Sequence, residues 1–369
     1  MKIAYLGSKG LPSKSGTERV VEAVVSRLST RHEITVYCDS RYTPAGTCIS
    51  GINLVRVHTP QGKHVQALFL FFASAVHALF KSYDVIHLQG VDSCFILPIL
   101  RLKYKVVTTA HGTPGRLTRL KWGKFAWFFI RAMEYPFVYF SNQATSVSYL
   151  DAEYLKERYR CNVTYIPNGV DEHMQADTHV AGRQLLDLGI APESYLLFAA
   201  GRIDPTKGCH LVLEALNQMG NPHKLIIIGD LNQVPPYSDH LREIADKQQV
   251  IFLPPIADRA LLFGLVKQAR LFIFPSSSEG MSMMLLEAAA LQVPVLCSDI
   301  PENKIVLPEH ALYFRSNDSA ELARQIQWAW NHPQEMADFA QKACQHVNQT
   351  LVWEKIARQY EEIYRVWAR

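Results

Sequence analysis

The 369-residue sequence contains no C-x-x-C pair, no D-x-D pair suited to a divalent cation and no G-x-G-x-x-G loop. Its seven cysteines (38, 48, 94, 161, 209, 297 and 344) are scattered and odd in number. A disulfide framework or a zinc site is therefore not expected, and a reducing, cytoplasmic setting fits. Without the dinucleotide fingerprint or its acidic ribose partner, a nicotinamide-dependent oxidoreductase is a poor reading. The first apolar run, Ile3–Leu6, ends at Gly7 and is too brief for a signal-peptide core. Val65–Phe80 is apolar and aromatic but is interrupted by Gln66, Ser74 and His77, which suits a core or interfacial helix better than a membrane span. Acidic side chains are missing from Ser93 to Met133, where eight basic residues (Arg101, Lys103, Lys105, Arg116, Arg119, Lys121, Lys124 and Arg131) interleave with Trp122, Phe125, Trp127, Phe128 and Phe129. This pattern predicts a helix lying on an anionic bilayer surface; packing between a sheet and its helices is the plainer alternative. No nucleic-acid recognition module accompanies the basic stripe, so no nucleic-acid partner is expected.

What is present is the composition of a globular protein, with 48% hydrophobic and 20% charged residues. The length suggests two domains. A net charge of +4 conceals an asymmetry: residues 1–175 carry 21 Lys and Arg against 12 Asp and Glu, and the remainder carries 17 against 22. One half is suited to an anionic surface that the other is not. Apolar runs at Ile3–Leu6, Glu33–Tyr37, Asn53–Val57, Val85–Leu88, Lys105–Thr109 and Gln143–Ser146 alternate with helix-like stretches. The pattern resumes at Tyr195–Ala200, Lys224–Ile228, Val250–Leu253, Leu271–Phe274 and Val293–Cys297. Such alternation predicts α/β domains with mostly parallel sheets. Ligands of these sheets bind beyond the carboxyl ends of the strands, so the loops there hold the chemistry.

Four loops stand out. After the first strand, Gly7 to Arg19 is Gly-rich, with a helix expected from about Val20; Gly16 would let backbone approach a phosphate or sugar, or simply turn the chain. After Lys105–Thr109, His111 at a strand's carboxyl end can reach a ligand or serve the fold. Arg202 and Lys207, five residues apart after Tyr195–Ala200, can meet one diphosphate from two sides, or remain solvated. Finally, Pro275 to Glu287 leaves a buried strand, turns through Ser and Gly and enters an Ala/Leu/Met-rich helix, whose N-terminus suits an anion. Glu279 and Glu287 would lie roughly 12 Å apart at helical rise, too far to grip one atom but suited to the two ends of a sugar nucleotide. That spacing alone does not separate such a clamp from a surface salt bridge. Gly229 and Pro254-Pro255-Ile256 would form a floor under a base.

These segments in this order, Ser15-Gly16-Thr17-Glu18-Arg19-Val20-Val21, Thr109-Ala110-His111-Gly112, Ile166-Pro167-Asn168-Gly169-Val170-Asp171, Gly201-Arg202 with Lys207-Gly208, and Pro275-Ser276 with Glu279-Gly280 and Leu286-Glu287-Ala288, resemble the family 4 glycosyltransferases over nearly the whole chain. Tyr5-Leu6-Gly7, Lys121-Trp122-Gly123-Lys124-Phe125 and Asp299-Ile300-Pro301-Glu302-Asn303 look like the bacterial rhamnosyltransferase-like subgroup of surface-polysaccharide assembly. The resemblance implies the GT-B fold, two facing Rossmann-like domains with a cleft between them, and retaining, metal-independent transfer from a nucleotide sugar used as substrate, with no cofactor. It implies that Arg202 and Lys207 neutralise the donor diphosphate and that Glu279 faces the donor sugar beside the backbone of Gly280, Met281 and Ser282. Glu287 would bind the ribose, His111 would contact the sugar near the reacting centre, and Gly16 would line the diphosphate.

The chain departs from the family pattern at Ser15 and Gln292, where Gly is usual, and at Met281 and Met283. The expected organisation is an acceptor-side domain over 1–175, a nucleotide-sugar domain over 176–350 and a helix over 351–369 packing back on the first. The expected function is transfer of a sugar to a lipid-linked or polysaccharide acceptor at the inner face of the plasma membrane. A sugar-nucleotide epimerase and a non-catalytic membrane-associated binding protein are the alternatives.

Overall fold

The computed structural model describes residues 1–13, 15–116, 124–247 and 249–368. The chain divides into two compact units, Met1–Asn168 with Trp353–Arg369, and Gly169–Val352.

The first unit is built on a seven-stranded sheet: β1 (Lys2–Leu6), β2 (Glu33–Asp39), β3 (Ile52–Val57), β4 (Val85–Gln89), β5 (Lys105–Ala110), β6 (Gln143–Ser146) and β7 (Val163–Tyr165). The order is β3-β2-β1-β4-β5-β6-β7, and every pairing is parallel. Ile3, Ala4, Tyr5 and Leu6 are all buried, as are Val85, Ile86 and Leu88, because helices on both faces turn central strands into continuous apolar runs. The chain reverses direction across the sheet between β1 and β4, which is where an open α/β sheet leaves a crevice for a ligand.

The last helix, Trp353–Trp367, belongs to this unit. It buries Trp353, Ile356, Ala357, Tyr360 and Tyr364, a spacing that lines one helical face. Tyr364 reaches the sheet through a buried polar chain. Its hydroxyl lies 2.7 Å from the Tyr5 hydroxyl and 2.6 Å from His87 Nδ1, and His87 Nε2 lies 2.7 Å from Thr109 Oγ1. On the outer side, Arg27 donates to Glu354 at 2.7 Å, and buried Glu361 receives Arg31 at 2.9 Å and Arg365 at 2.7 Å. The Arg27 and Arg31 pairs tie this helix to the end of the helix Gly16–Leu28 and the turn after it, while Arg365, one turn along the same helix, shares the Glu361 carboxylate.

The second unit contains β8 (Tyr195–Arg202), β9 (Lys224–Asp230), β10 (Val250–Leu253), β11 (Leu271–Phe274), β12 (Val295–Ser298) and β13 (Leu312–Phe314). They form one parallel sheet in the order β10-β9-β8-β11-β12-β13. Here the switch in direction falls between β8 and β11, which pair through Leu196 with Leu271 and Leu197 with Phe272.

Several local expectations change. Between Asp171 and β8, where the apolar runs read from sequence place no element, lies a helix, Thr178–Asp187, capped by Asp177 and burying Ala181 and Leu185; two apolar residues four apart suffice for packing but give a weak periodic signal. The division between units falls at Asn168/Gly169 rather than near 175, because Val170 N–H donates to the Leu351 carbonyl at 2.8 Å and so draws this strip to the second unit. β7 and β13, each three residues long and each at a sheet edge, have no counterpart among the runs read from sequence. Gly229 lies within β9, not after it. Its φ is +157°, and a Cβ there would sit 2.1 Å from the Ala200 carbonyl oxygen, so glycine serves the close approach of β8 and β9.

Candidate active site

The loops after β8 and β11 lie side by side because those strands are neighbours in the second sheet. After β8, Asp204 accepts the Thr206 N–H at 3.0 Å and starts a single 3-10 turn, Pro205–Lys207. Arg202 donates from Nε to Asp204 at 3.1 Å and is half exposed. Burial opposes ionisation of Asp204, but the Thr206 hydroxyl, Arg202 and Lys207 together outweigh it and hold the carboxyl below its ordinary range. The loop is thus pinned by an anion, and both cations project from it.

Gly208 joins the two loops. Its φ is +70°, and a Cβ would fall 2.3 Å from the Pro275 carbonyl oxygen. The next contact is a hydrogen bond from Ser277 N–H to the Thr206 carbonyl at 2.9 Å. Ser298 Oγ donates to the Ser276 carbonyl, and Asn303 Nδ2 donates to Ser298 at 3.0 and 3.1 Å, bracing the loop from β12. Lys207 Nζ meets Glu279 Oε1 at 2.5 Å, with only 20% and 9% of the two side chains exposed. The sequence places these residues 72 apart.

Beyond Glu279, Gly280 and Met281 lead to Ser282, whose hydroxyl accepts the Leu285 N–H at 3.4 Å and caps the helix Met283–Ala290. The helix starts four residues after Glu279, so the 12 Å figure for an unbroken helix does not apply to Glu279 and Glu287. N–H groups of its first turn have no partner within the helix; that of Leu285 is taken by the Ser282 hydroxyl, and the turn opens four residues after Glu279. Met281 is partly buried and packs on the apolar core. Glu287 is buried, and its Oε1 accepts from Arg259 Nη2 at 2.9 Å. Arg259 begins the helix Arg259–Lys267 behind the cap Asp258 and stacks its guanidinium on Phe263 at 5.1 Å. It was not singled out from the sequence; an Asp-Arg pair opening a helix has no local mark of function.

The other two candidates lie in the first unit. Gly16 is the first residue of the helix Gly16–Leu28, four residues earlier than the sequence suggests, with Ser15 as its cap. Glu18 is buried and accepts from the Ser15 hydroxyl and, at 3.1 Å, from the Lys9 N–H, which ties the first turn of the helix to the loop before it. Gly16 is exposed, and a Cβ built on it meets nothing within 4 Å. The chain's own packing therefore does not require glycine there. His111 follows β5, and its Nε2 lies 2.7 Å from Gln89 Oε1 at the end of β4. Gly7, at the end of β1, in turn packs on the Gln89 carbonyl. Gln89 thus links the ends of three adjacent strands across the switch point, a role its isolated place in the sequence did not suggest.

Burial pushes His111 down to about 4 and His87, also next to His111, down to about 3. Both are neutral in the native state near pH 7. An unfolded histidine titrates near about 6.5, so their contribution to stability is complete above that pH and is lost as pH falls toward their folded values. Comparing wild type with His87→Gln cancels other titrations. Chemical denaturation should show a wild-type-minus-variant stability that is flat above pH 6.5 and falls below it by up to about 1.4 kcal/mol per pH unit. A difference independent of pH would contradict a buried neutral His87.

The expected basic aromatic helix is partly visible. Lys124–Ala132 is helical, with Phe128 72% exposed and Arg131 over the Trp127 ring at 4.9 Å. Arg119, Lys121 and Trp122 lie outside the described residues. Arg116 instead turns to buried Asp151 at 2.9 Å.

Comparison with known proteins gives two adjoining matches: residues 14–173 match the model for Glycosyltransferase Family 4, and residues 185–346 match that for Glycosyl transferases group 1. The O-antigen biosynthesis glycosyltransferase WclY of Escherichia coli is 23% identical, with 99% of this chain and 98% of that protein covered. The processive diacylglycerol alpha-glucosyltransferase of Acholeplasma laidlawii is 25% identical over 77% of this chain and 87% of its own. In structure, Anabaena HepE in complex with UDP-glucose is similar with a TM-score of 0.81 at 18% identity, covering 99% of this chain and all of that one.

Proposed function

Because the chain belongs to the family 4 glycosyltransferases of GT-B fold, we propose that it is a retaining, metal-independent enzyme that moves a sugar from a UDP-, GDP- or dTDP-sugar to a lipid-linked or polysaccharide acceptor during cell-surface glycan assembly. The Lys207–Glu279 pair carries this reading: a cation and a carboxylate are held together at a sheet's switch point, beside the start of a capped helix. Departure of a nucleoside diphosphate develops negative charge. Arg202, Lys207 and the helix N-terminus would stabilise it without a metal ion. Glu279 would take hydroxyls of the donor sugar, with Gly280, Met281 and Ser282 offering backbone beside it. Glu287, oriented by Arg259, would take the ribose. His111, neutral and oriented by Gln89, would hydrogen-bond the sugar, and Gly16 would give room to the diphosphate. The acceptor hydroxyl attacks the anomeric carbon on the face the diphosphate leaves, and the leaving phosphate takes its proton. Neither Glu279 nor Glu287 then acts as a nucleophile.

The names of WclY and the diacylglycerol glucosyltransferase support a surface-polysaccharide or lipid-linked acceptor. The charge excess of residues 1–175 supports work at an anionic membrane surface on the cytoplasmic side. Among the described residues no helix is long and apolar enough to cross a membrane.

The test is a donor panel. One nucleotide sugar should raise the melting temperature, by an amount matching about 2.7 kcal/mol at a hundred times Kd, and should yield a glycosylated product with its anomeric configuration kept. Product carrying only an epimerised nucleotide sugar would replace transfer by epimerisation. Gly16→Ala should leave the unliganded melting temperature unchanged or slightly higher, since alanine suits a helix by about 0.5–1 kcal/mol, yet weaken transfer at least tenfold, on the order of a lost phosphate contact. Full activity in this variant would remove Gly16 from the donor site.

A further inference from the structure

The helix Lys63–Leu79 turns Leu70, Phe71, Ser74, Ala75 and Ala78 into the first unit. Its opposite face is not polar. Val65, Leu68, Phe69, Phe72, Val76 and Phe80 are between 37% and 82% exposed, and their spacing of three and four places them on one stripe. The stripe contains no charged residue and runs about 22 Å at helical rise. A solvent-facing helix normally has polar residues at these positions, and large contiguous apolar patches mark interaction sites.

The sequence around the stripe is predominantly basic, although buried Asp39 at the end of β2 accepts from Gln66 of this helix at 2.6 Å. From Ser40 to Met133 the chain has twelve Lys and Arg against two acidic residues, Asp84 and Asp92. At the C-terminal end of the stripe, Lys103 Nζ donates to the carbonyls of Leu79 at 2.9 Å and Lys81 at 2.6 Å, and Tyr104 donates to that of Ala78 at 2.7 Å. These bonds hold exposed Lys103 against the chain on both sides of Phe80, with Lys81 exposed, Leu102 80% exposed and Phe80 82%. An apolar stripe ending in a cationic corner is the composition of an in-plane interfacial helix, whose apolar side enters the acyl boundary while lysines and arginines stay at the headgroups.

We propose that this face of the Lys63–Leu79 helix, with Phe80, Leu102, Lys81 and Lys103, is the surface by which the protein docks on an anionic lipid bilayer. The inference rests on the membrane reading above and moves its centre from the basic aromatic segment near Phe128 to this helix. Phospholipid is favoured over a second copy of the chain because a self-complementary contact would set like charges at the stripe's cationic end against one another or leave them buried.

The test is flotation of the full chain with phosphatidylglycerol–phosphatidylethanolamine vesicles and with phosphatidylcholine vesicles. Wild type should float with the anionic vesicles, less so as salt rises. The triple substitution Phe69→Ser, Phe72→Ser, Phe80→Ser should lower the floated fraction on the order of tenfold or more. Lys81→Glu should weaken flotation only with anionic vesicles. Unchanged stabilisation by the nucleotide found in the donor panel, or by UDP, GDP or dTDP, would show that the variants are folded. If the triple variant floats as well as wild type, this surface is wrong and the membrane reading stands. If wild type does not float at all, the membrane reading fails and takes the surface with it. If light scattering without lipid shows a dimer that the triple variant abolishes, the face is a contact between copies and the proposal is overturned.

Discussion

Lys207→Ala should lower kcat/KM by on the order of 10²–10³, the cost of removing one preorganised donor to a developing negative charge. The same change leaves Glu279, with 9% of its side chain exposed, without the ammonium 2.5 Å away. Removing one partner of a fully buried pair costs about 3–5 kcal/mol; with a fifth of Lys207 in solvent, about 2 kcal/mol is a fair expectation after screening. For a unit of this size that lowers the melting temperature by about 2–4 °C per kcal/mol. The double variant Lys207→Ala, Glu279→Gln separates the two effects. Neutralising the stranded carboxylate should return most of the lost stability and none of the lost rate. Recovery of rate together with stability would mean that Lys207 serves only the fold.

Gly208→Ala should be the most damaging single-methyl change in the site. A left-handed conformation costs a non-glycine residue about 1–2 kcal/mol. Gly189→Ala meets that cost alone, since its φ is +66° and a Cβ there has no neighbour within 4 Å. At Gly208 the added carbon would also stand 2.3 Å from the Pro275 carbonyl oxygen, which is backbone and cannot swing aside. Relief requires the β8 and β11 loops to part, stretching the Thr206–Ser277 hydrogen bond and the Lys207–Glu279 pair. The excess of Gly208→Ala over Gly189→Ala, read by denaturation, should be about 2 kcal/mol or more, the scale of an overpacked core. Nucleotide affinity should fall at least tenfold in Gly208→Ala, about 1.4 kcal/mol, and remain intact in Gly189→Ala. Equal destabilisation by the two would show that the loops tolerate separation.

Much of the fold was legible because parallel strands covered on both faces are continuous apolar runs. Leu271–Phe274 and Val250–Leu253 have the same bounds in structure as in sequence. Legibility failed where elements are short or their burial is supplied by distant partners. β7 and β13 have three residues each, and Thr178–Asp187 buries only Ala181 and Leu185. The start of the first helix was missed because Glu18, two residues before the expected start at Val20, is buried and bonded to Ser15 and Lys9, which draws the first turn upstream to Gly16. The outward stripe of Lys63–Leu79 could not be told from a core-facing one either. A helix that is apolar on most sides shows which residues avoid water, not which of them succeed.

The sequence by itself determined the two α/β halves, the loops on which cations, carboxylates and glycines fall, and the family they resemble, because strand periodicity and loop composition are local properties of the chain. Which of those loops adjoin was decided by strand order. β8 and β11 are neighbours only in the folded sheet, and that adjacency joins Lys207 to Glu279 across 72 residues. Tertiary packing also gave Glu287 its partner Arg259 and His111 its partner Gln89. A parallel sheet pairs strands through crossovers rather than through turns, so the partners of a site residue lie on other segments and leave no mark in its own.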